Sequence, residues 1–138
     1  MKKQIFALIL IVLVLALTAC SGNGAAQPGL NGTSWELVRI NGEPVLTDTH
    51  PSLGFENGNA SGNGSCNGFG GEYTVKGNKL TFGPLMSTMM ACYPTEVMDQ
   101  EQAYFSALSS TASYRMDGSR LTLLDASGNV LAEFTSAK

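Results

Sequence analysis

Most of the chain after residue 33 alternates between apolar and polar positions in short runs that end at turn-forming residues. Alternation with a period of two is typical of strands that are buried on one face. Residues 85–93 are apolar without alternation, which predicts a strand buried on both faces. The remaining strands are predicted at residues 34–40, 52–56, 72–76, 79–83, 113–117, 120–125 and 130–134.

One segment has the period of a helix instead. Between residues 95 and 110, a set of side chains recurs at steps of three and four: Val97, Glu101, Tyr104, Phe105 and Leu108. All but Glu101 are apolar, which predicts an amphipathic helix. About seven or eight antiparallel strands would expose two sheet edges unless the sheet closes. We therefore expect a mainly β fold, a small antiparallel barrel with one helix packed against it.

The first residues have the pattern of a targeting signal. Lys2 and Lys3 precede an apolar run from Ile5 to Leu17, which is shorter than the roughly 20 residues that span a bilayer. The sequence Leu17-Thr18-Ala19-Cys20 resembles the lipobox of bacterial lipoproteins. This resemblance implies a signal peptide over residues 1–19 and acyl chains, palmitate among them, on Cys20. The alternative is an ordinary signal peptide with a chance cysteine.

The lipobox also implies a location in the cell. Two or three acyl chains on Cys20 would hold the protein at a membrane of the cell envelope. Ser21, where aspartate commonly signals inner-membrane retention, indicates the outer membrane in a Gram-negative cell, and otherwise the outer face of the cell membrane. Residues 20–30 are small, polar and rich in glycine, as expected of a flexible tether, so the folded domain is predicted at residues 31–138.

Charge argues against a nucleic-acid partner. The chain has eight Lys and Arg residues against eleven Asp and Glu residues, and two of the lysines fall in the signal segment. The other basic residues are scattered, without the patch or stripe that a polyanion requires.

The glycine-rich stretch at residues 60–73, ASGNGSCNGFGGEY, permits three interpretations. A phosphate-binding loop would need a third glycine where Asn67 stands and a helix after it. A nucleophile elbow at Cys66 would need a histidine base, and His50 is the single histidine of the chain. We favour the third interpretation, in which the glycines allow tight bends and close backbone approach within a sheet.

Sulfur chemistry gives two further alternatives. Cys66 and Cys92 could form a disulfide in an oxidising compartment, or remain as two buried thiols. Five methionines could suggest thioether ligands for Cu(I), but strand alternation separates them, so no metal site and no cofactor are expected. These five are Met86, Met89, Met90, Met98 and Met116.

The order of these motifs resembles the META domain family, typified by the heat-shock protein HslJ. The resemblance extends over most of the predicted domain, and Ser65 departs from it because the family more often has glycine there. Its main positions are Trp35, Gly62, Gly64, Cys66, Asn67, Phe69, Gly71, Tyr73, Thr88, Met90 and Cys92. The resemblance implies a lipocalin-like barrel with a helix beside it, in proteins of the cell envelope that are partly linked to stress and have no assigned catalysis.

Two functions are therefore expected to compete. The first is a non-enzymatic, membrane-anchored domain that supports envelope or heat-stress tolerance by binding a protein or a small apolar ligand. The barrel mouth is the expected site, with the 41–51 loop and the helix as its movable rim. The alternative is a tethered inhibitor of a lysozyme or protease, which would present acidic residues to a basic enzyme. Glu43, Asp48 and Glu56 are the candidates for that contact.

Overall fold

The computed structural model describes residues 29–137. The predicted signal peptide, the lipidation site Cys20 and the tether up to residue 28 lie outside the described residues. Within residues 29–137, no helix combines the length and the apolar character needed to cross a membrane.

Ten strands and one helix follow one another along the described part of the chain. The strands are β1 (Thr33–Ile40), β2 (Glu43–Pro44), β3 (Ser52–Glu56), β4 (Asn59–Asn63), β5 (Gly68–Lys76), β6 (Lys79–Phe82), β7 (Met86–Ser87), β8 (Ser113–Asp117), β9 (Arg120–Leu124) and β10 (Val130–Ser136). The helix α1 (Glu96–Ser109) lies between β7 and β8.

Eight of the strands close into an antiparallel barrel. Its order is β1-β3-β4-β5-β6-β8-β9-β10, and β10 pairs with β1 to complete the circle. The pairing between β6 and β8 is short, with Lys79 opposite Ser113 as its paired residues. The two remaining strands are short: β2 extends the hairpin after β1, and β7 pairs with β5. The predicted barrel of seven or eight strands is confirmed.

Turn chemistry sets the strand pairing, as the sequence predicts. Asn41 and Gly42 have φ values of 50° and 87° between β1 and β2, and Asn57 and Gly58 have values of 49° and 82° between β3 and β4. Two successive residues with positive φ form the turn that matches the twist of an antiparallel hairpin. The pairing fixes which side chains point inward.

The barrel interior is filled by large apolar side chains. Leu53, Leu80, Leu121 and Leu123 are fully buried, and Phe55 packs among them. Together these side chains form the hydrophobic core of the domain.

Helix α1 closes one end of this barrel. The ring of Tyr104 contacts the inward-facing rings of Phe69 and Phe134, at centroid distances of 5.7 and 6.1 Å. The Tyr104 hydroxyl donates a hydrogen bond of 3.1 Å to the backbone oxygen of Ser52 at the start of β3. Burial raises the pKa of Tyr104 well above its usual value, so the hydroxyl stays protonated and remains a donor.

Two parts of the sequence prediction are wrong. Residues 85–93 do not form a strand buried on both faces: only Met86–Ser87 is a strand, and both of its residues are exposed. The glycine-rich stretch is more regular than expected, because it supplies all of β4 except Asn59 and the first part of β5. Its glycines therefore lie mostly within strands, where neighbouring backbone comes close.

We predict that Gly62→Ala destabilises the domain by about 2 kcal/mol or more. A Cβ at this position would overlap the backbone oxygen of Ser52 and lie 3.1 Å from the ring of Phe69. Gly68→Ala is the matched control in the same stretch, because its Cβ would meet only the Gly62 oxygen at 3.8 Å. Urea unfolding measures both changes, and equal midpoints for the two variants would contradict the close-approach explanation.

Candidate functional site

Asn67 joins the glycine-rich stretch to the segment that follows β7. Its side-chain oxygen accepts hydrogen bonds from the backbone N–H of Met90 at 2.7 Å and from the Thr88 hydroxyl at 2.8 Å. Its side-chain nitrogen donates to the backbone oxygen of Met90 at 3.1 Å. The amide thus bonds both backbone groups of Met90, as a neighbouring strand would.

Glu101 on helix α1 lies beneath the backbone of residues 66 and 67 and is only 4% exposed. One carboxylate oxygen accepts from the backbone N–H groups of Cys66 at 3.0 Å and Asn67 at 2.6 Å. The other accepts from the side-chain nitrogen of Asn67 at 2.7 Å. No described lysine or arginine pairs with Glu101. Three N–H donors therefore replace the water that the buried carboxylate loses.

The turn of residues 63–67, called the glycine turn below, packs so closely on Glu101 that it leaves no space for a side chain at Gly64. A Cβ on Gly64 would come within 2.7 Å of a Glu101 carboxylate oxygen and of the Phe105 ring. Ser65 has a φ of 128°, a region that favours glycine, which gives a physical reason for the glycine that the family resemblance implies here. The Ser65 hydroxyl accepts a hydrogen bond of 2.8 Å from the side chain of Gln100.

A disulfide between Cys66 and Cys92 fixes the other end of the segment, with their Cα atoms 5.9 Å apart. The backbone N–H of Cys92 also donates to the sulfur of Met98 on α1, at 3.4 Å. Residues 85–93, called the methionine segment below, are therefore held by Asn67, by the disulfide and by the helix. They lie on the barrel instead of inside it.

The methionine segment presents large apolar side chains to solvent. Met86 is 78% exposed, Met89 97%, Met90 57% and Tyr93 86%. Grooves lie on both sides of it. One, of about 620 Å³, separates residues 87–91 from helix α1, and the other, of about 540 Å³, runs along β4 and β5 beside Pro84 and Met86. Both grooves are open to solvent, and exposed apolar clusters mark interaction surfaces.

The nucleophile-elbow interpretation does not fit this geometry. Cys66 is 7% exposed and its sulfur is in the disulfide. The His50 side chain is 81% exposed, and its Nδ1 lies 3.0 Å from a Glu36 carboxylate oxygen on β1. The cysteine therefore has neither a free thiol nor a histidine base. Among residues 29–137, no group of three or more His, Cys, Asp or Glu side chains could hold a metal ion.

The other predicted motif residues have structural positions. Trp35 and Phe69 are buried in the core, and Tyr73 packs against it with its ring 4.9 Å from that of Phe55. A Cβ on Gly71 would lie 2.8 Å from the backbone oxygen of Pro84, which allows the chain after β6 to lie close over β5.

The acidic residues of the inhibitor hypothesis do not form one loop. Glu43 is opposite Ile40 at the end of β1, whereas Glu56 follows Phe55, which is opposite Thr33 at the start of β1. The intervening strand is roughly 23 Å long at about 3.3 Å per residue. Glu43 and Glu56 therefore lie near opposite ends of β1 and belong to different turns.

Sequence reasoning missed the role of Glu101. Its place in the helical repeat predicts that it faces inward, but the repeat alone gives no partner for its carboxylate. A single acidic residue at an otherwise apolar helical position is the signal that could have identified it, because a buried carboxylate requires donors. The sequence does not say that these donors are the N–H groups of residues 66 and 67.

Comparisons with known proteins agree with this fold. A family model of the META domain matches residues 28–138. An NMR structure of a protein from Burkholderia xenovorans has 25% identity and a TM-score of 0.64, covering 88% of this chain and 99% of that one. A second NMR structure has 26% identity and a TM-score of 0.63, covering 77% and 90%. No curated protein matches the chain.

A crystal structure of a DUF4847 family protein from Bacteroides vulgatus ATCC 8482 shares the fold at 16% identity. Its TM-score is 0.56, and the similarity covers 77% of this chain and 93% of that one.

We predict that Glu101→Gln lowers the free energy of unfolding by about 3 kcal/mol, because its amide NH₂ would face an N–H donor of the glycine turn. Asp99→Asn is the matched control: Asp99 is an exposed acid on the same helix, and its loss should cost less than about 0.5 kcal/mol. Urea denaturation of both variants tests this. Equal stabilities would show that the carboxylate does not hold the turn.

Breaking the bridge has a separate effect. Cys66→Ser with Cys92→Ser should lower stability by about 3.5 kcal/mol on the chain-entropy model for a sequence separation of 26. The intact wild-type protein, alkylated without reductant, should gain no label at either cysteine by mass spectrometry. Labelling of both would contradict the bridge.

Proposed function

The chain belongs to the META domain family, and we propose that it is a non-enzymatic binding protein of the cell envelope whose binding surface is the methionine segment. The observation that carries this proposal is the exposure of Met86, Met89 and Tyr93 on a backbone that is fixed in place. A loosely held apolar segment would collapse onto the core. This one is held outward by polar contacts and a disulfide.

The chemistry of the site favours binding over catalysis. The Glu101 carboxylate and the Asn67 amide are occupied by hydrogen bonds to one another and to backbone. Cys66 is bridged, and His50 lies on a loop beside Glu36. A general base or nucleophile needs a free lone pair that faces a substrate. The lone pairs of the polar groups under the methionine segment instead accept hydrogen bonds that hold the backbone in place.

The proposed location depends on Cys20, which lies outside the described residues. A lipid on its sulfur would attach the domain to the outer membrane of a Gram-negative cell or to the outer face of the cell membrane. Support comes from the basic start, the apolar run and the Leu17-Thr18-Ala19-Cys20 sequence. A disulfide agrees with such a compartment, since bridges persist in oxidising surroundings. A role in envelope-stress tolerance is implied by the family resemblance.

Growth of a deletion strain under envelope stress tests this function. We expect the wild-type full chain to restore growth, and Met86→Ser with Met89→Ser to fail although it folds normally, because both side chains are exposed. Val130→Ser is the matched control, an exposed apolar residue on β10. Full restoration by the methionine variant would overturn the binding surface.

Cys20→Ala tests the anchor separately. It should remove palmitate labelling and release the protein from the membrane fraction. Retention of the label on this variant would contradict the lipidation site.

A further inference from the structure

Acidic side chains border the methionine segment on both sides. From this charge pattern we infer that its partner is a polypeptide segment that carries both apolar and cationic side chains. This inference rests on the proposed function, since it names the class of partner for the same surface.

The charges lie where a partner on the apolar surface would meet them. Asp99 lines the groove that also contains Met89 and Met90, and Glu72 lines the groove that also contains Met86. Among the described residues that line the two grooves, none is Lys or Arg. Helix α1 has no basic residue, and its first turn adds the exposed Glu96.

This pattern selects the sign of the partner's charge. Within the screening length of about 8–10 Å, a cation next to an apolar contact gains Coulomb attraction, whereas an anion is repelled. An anionic lipid surface is disfavoured for the same reason. Lys or Arg side chains flanking apolar ones are the complementary chemistry.

The backbone of the segment favours a polypeptide over other cationic apolar molecules. Strand β7 pairs with β5 along one edge, and no other described strand pairs with its second edge. An extended segment can hydrogen-bond to such an edge while its side chains enter the flanking grooves. Methionine side chains adapt to different apolar shapes, so the surface would accept a class of sequences.

The test uses the full chain in bilayers of zwitterionic lipid and three short synthetic peptides, made of leucine and lysine, of leucine and glutamate, and of serine and lysine. Fluorescence anisotropy measures their affinities. We expect the leucine–lysine peptide to bind at least about tenfold more tightly than either of the others, because only it supplies both apolar area and positive charge. Equal binding of the leucine–glutamate peptide would overturn the charge requirement.

Variants locate the binding. Glu72→Gln with Asp99→Asn should weaken the leucine–lysine peptide by about fivefold and reduce the salt dependence of its affinity. Glu43→Gln with Asp117→Asn is the matched control, because neither of these exposed acids lines the two grooves. Equal losses from the two pairs would mean that only net charge matters and would overturn the site.

A photo-crosslinking residue at position 89, with position 130 as control, separates the two proposals. Crosslinks in stressed cells at position 89 alone, with no binding of the leucine–lysine peptide, would reject the cationic class and keep the binding surface. Absence of crosslinks at both positions would reject the surface itself. Tighter binding to anionic vesicles than to the peptide would identify a lipid partner and also overturn the inference.

Discussion

The carboxylate of Glu101 is the interaction on which the arrangement of the surface depends. It lies at 4% exposure and accepts N–H groups of Cys66 and Asn67. A buried carboxylate without donors would cost several kcal/mol, and buried backbone N–H groups without acceptors are also unfavourable. Each side satisfies the other, so the helix and the glycine turn stabilise one common geometry.

The effect of this contact extends outward through Asn67. Because its backbone and side-chain nitrogens bond Glu101, its side-chain oxygen is aimed at Met90 and Thr88. The disulfide from Cys66 reaches the other end of the methionine segment. Exposed apolar side chains therefore project from a backbone that loses little freedom when a partner binds, which lowers the entropic cost of association.

Sequence patterns predicted the barrel but not this surface, for a physical reason. Strands such as β8 and β9 are determined by neighbouring sequence, because alternation and a turn at Gly118 specify both the strands and their pairing. The position of the methionine segment depends on non-local contacts, since its backbone hydrogen-bonds to the side chain of Asn67. Apolar composition alone suggested burial, and periodicity cannot distinguish a buried strand from an apolar segment held at the surface.

The glycines of the 60–73 stretch show the same limit of prediction from local sequence patterns. The sequence predicted tight bends and close backbone approach, and the structure has close approach at Gly62 and Gly71, which lie in strands. What requires glycine there is the distant backbone of Ser52 and Pro84, which a side chain would displace. Such non-local contacts can be identified only once the barrel is closed.

The polar groups under the methionine segment also limit the kind of recognition that the proposed binding surface could perform. Among the described residues, no buried side-chain nitrogen or oxygen lacks a hydrogen-bond partner. The amide of Asn67 uses both of its donors and both of its acceptor positions on its neighbours. Solvent therefore meets mainly apolar side chains and peripheral carboxylates. If the proposed partner binds here, such a surface would distinguish it by apolar area and charge sign, because the amide and carboxylate that could recognise hydrogen-bonding patterns already hold the backbone in place.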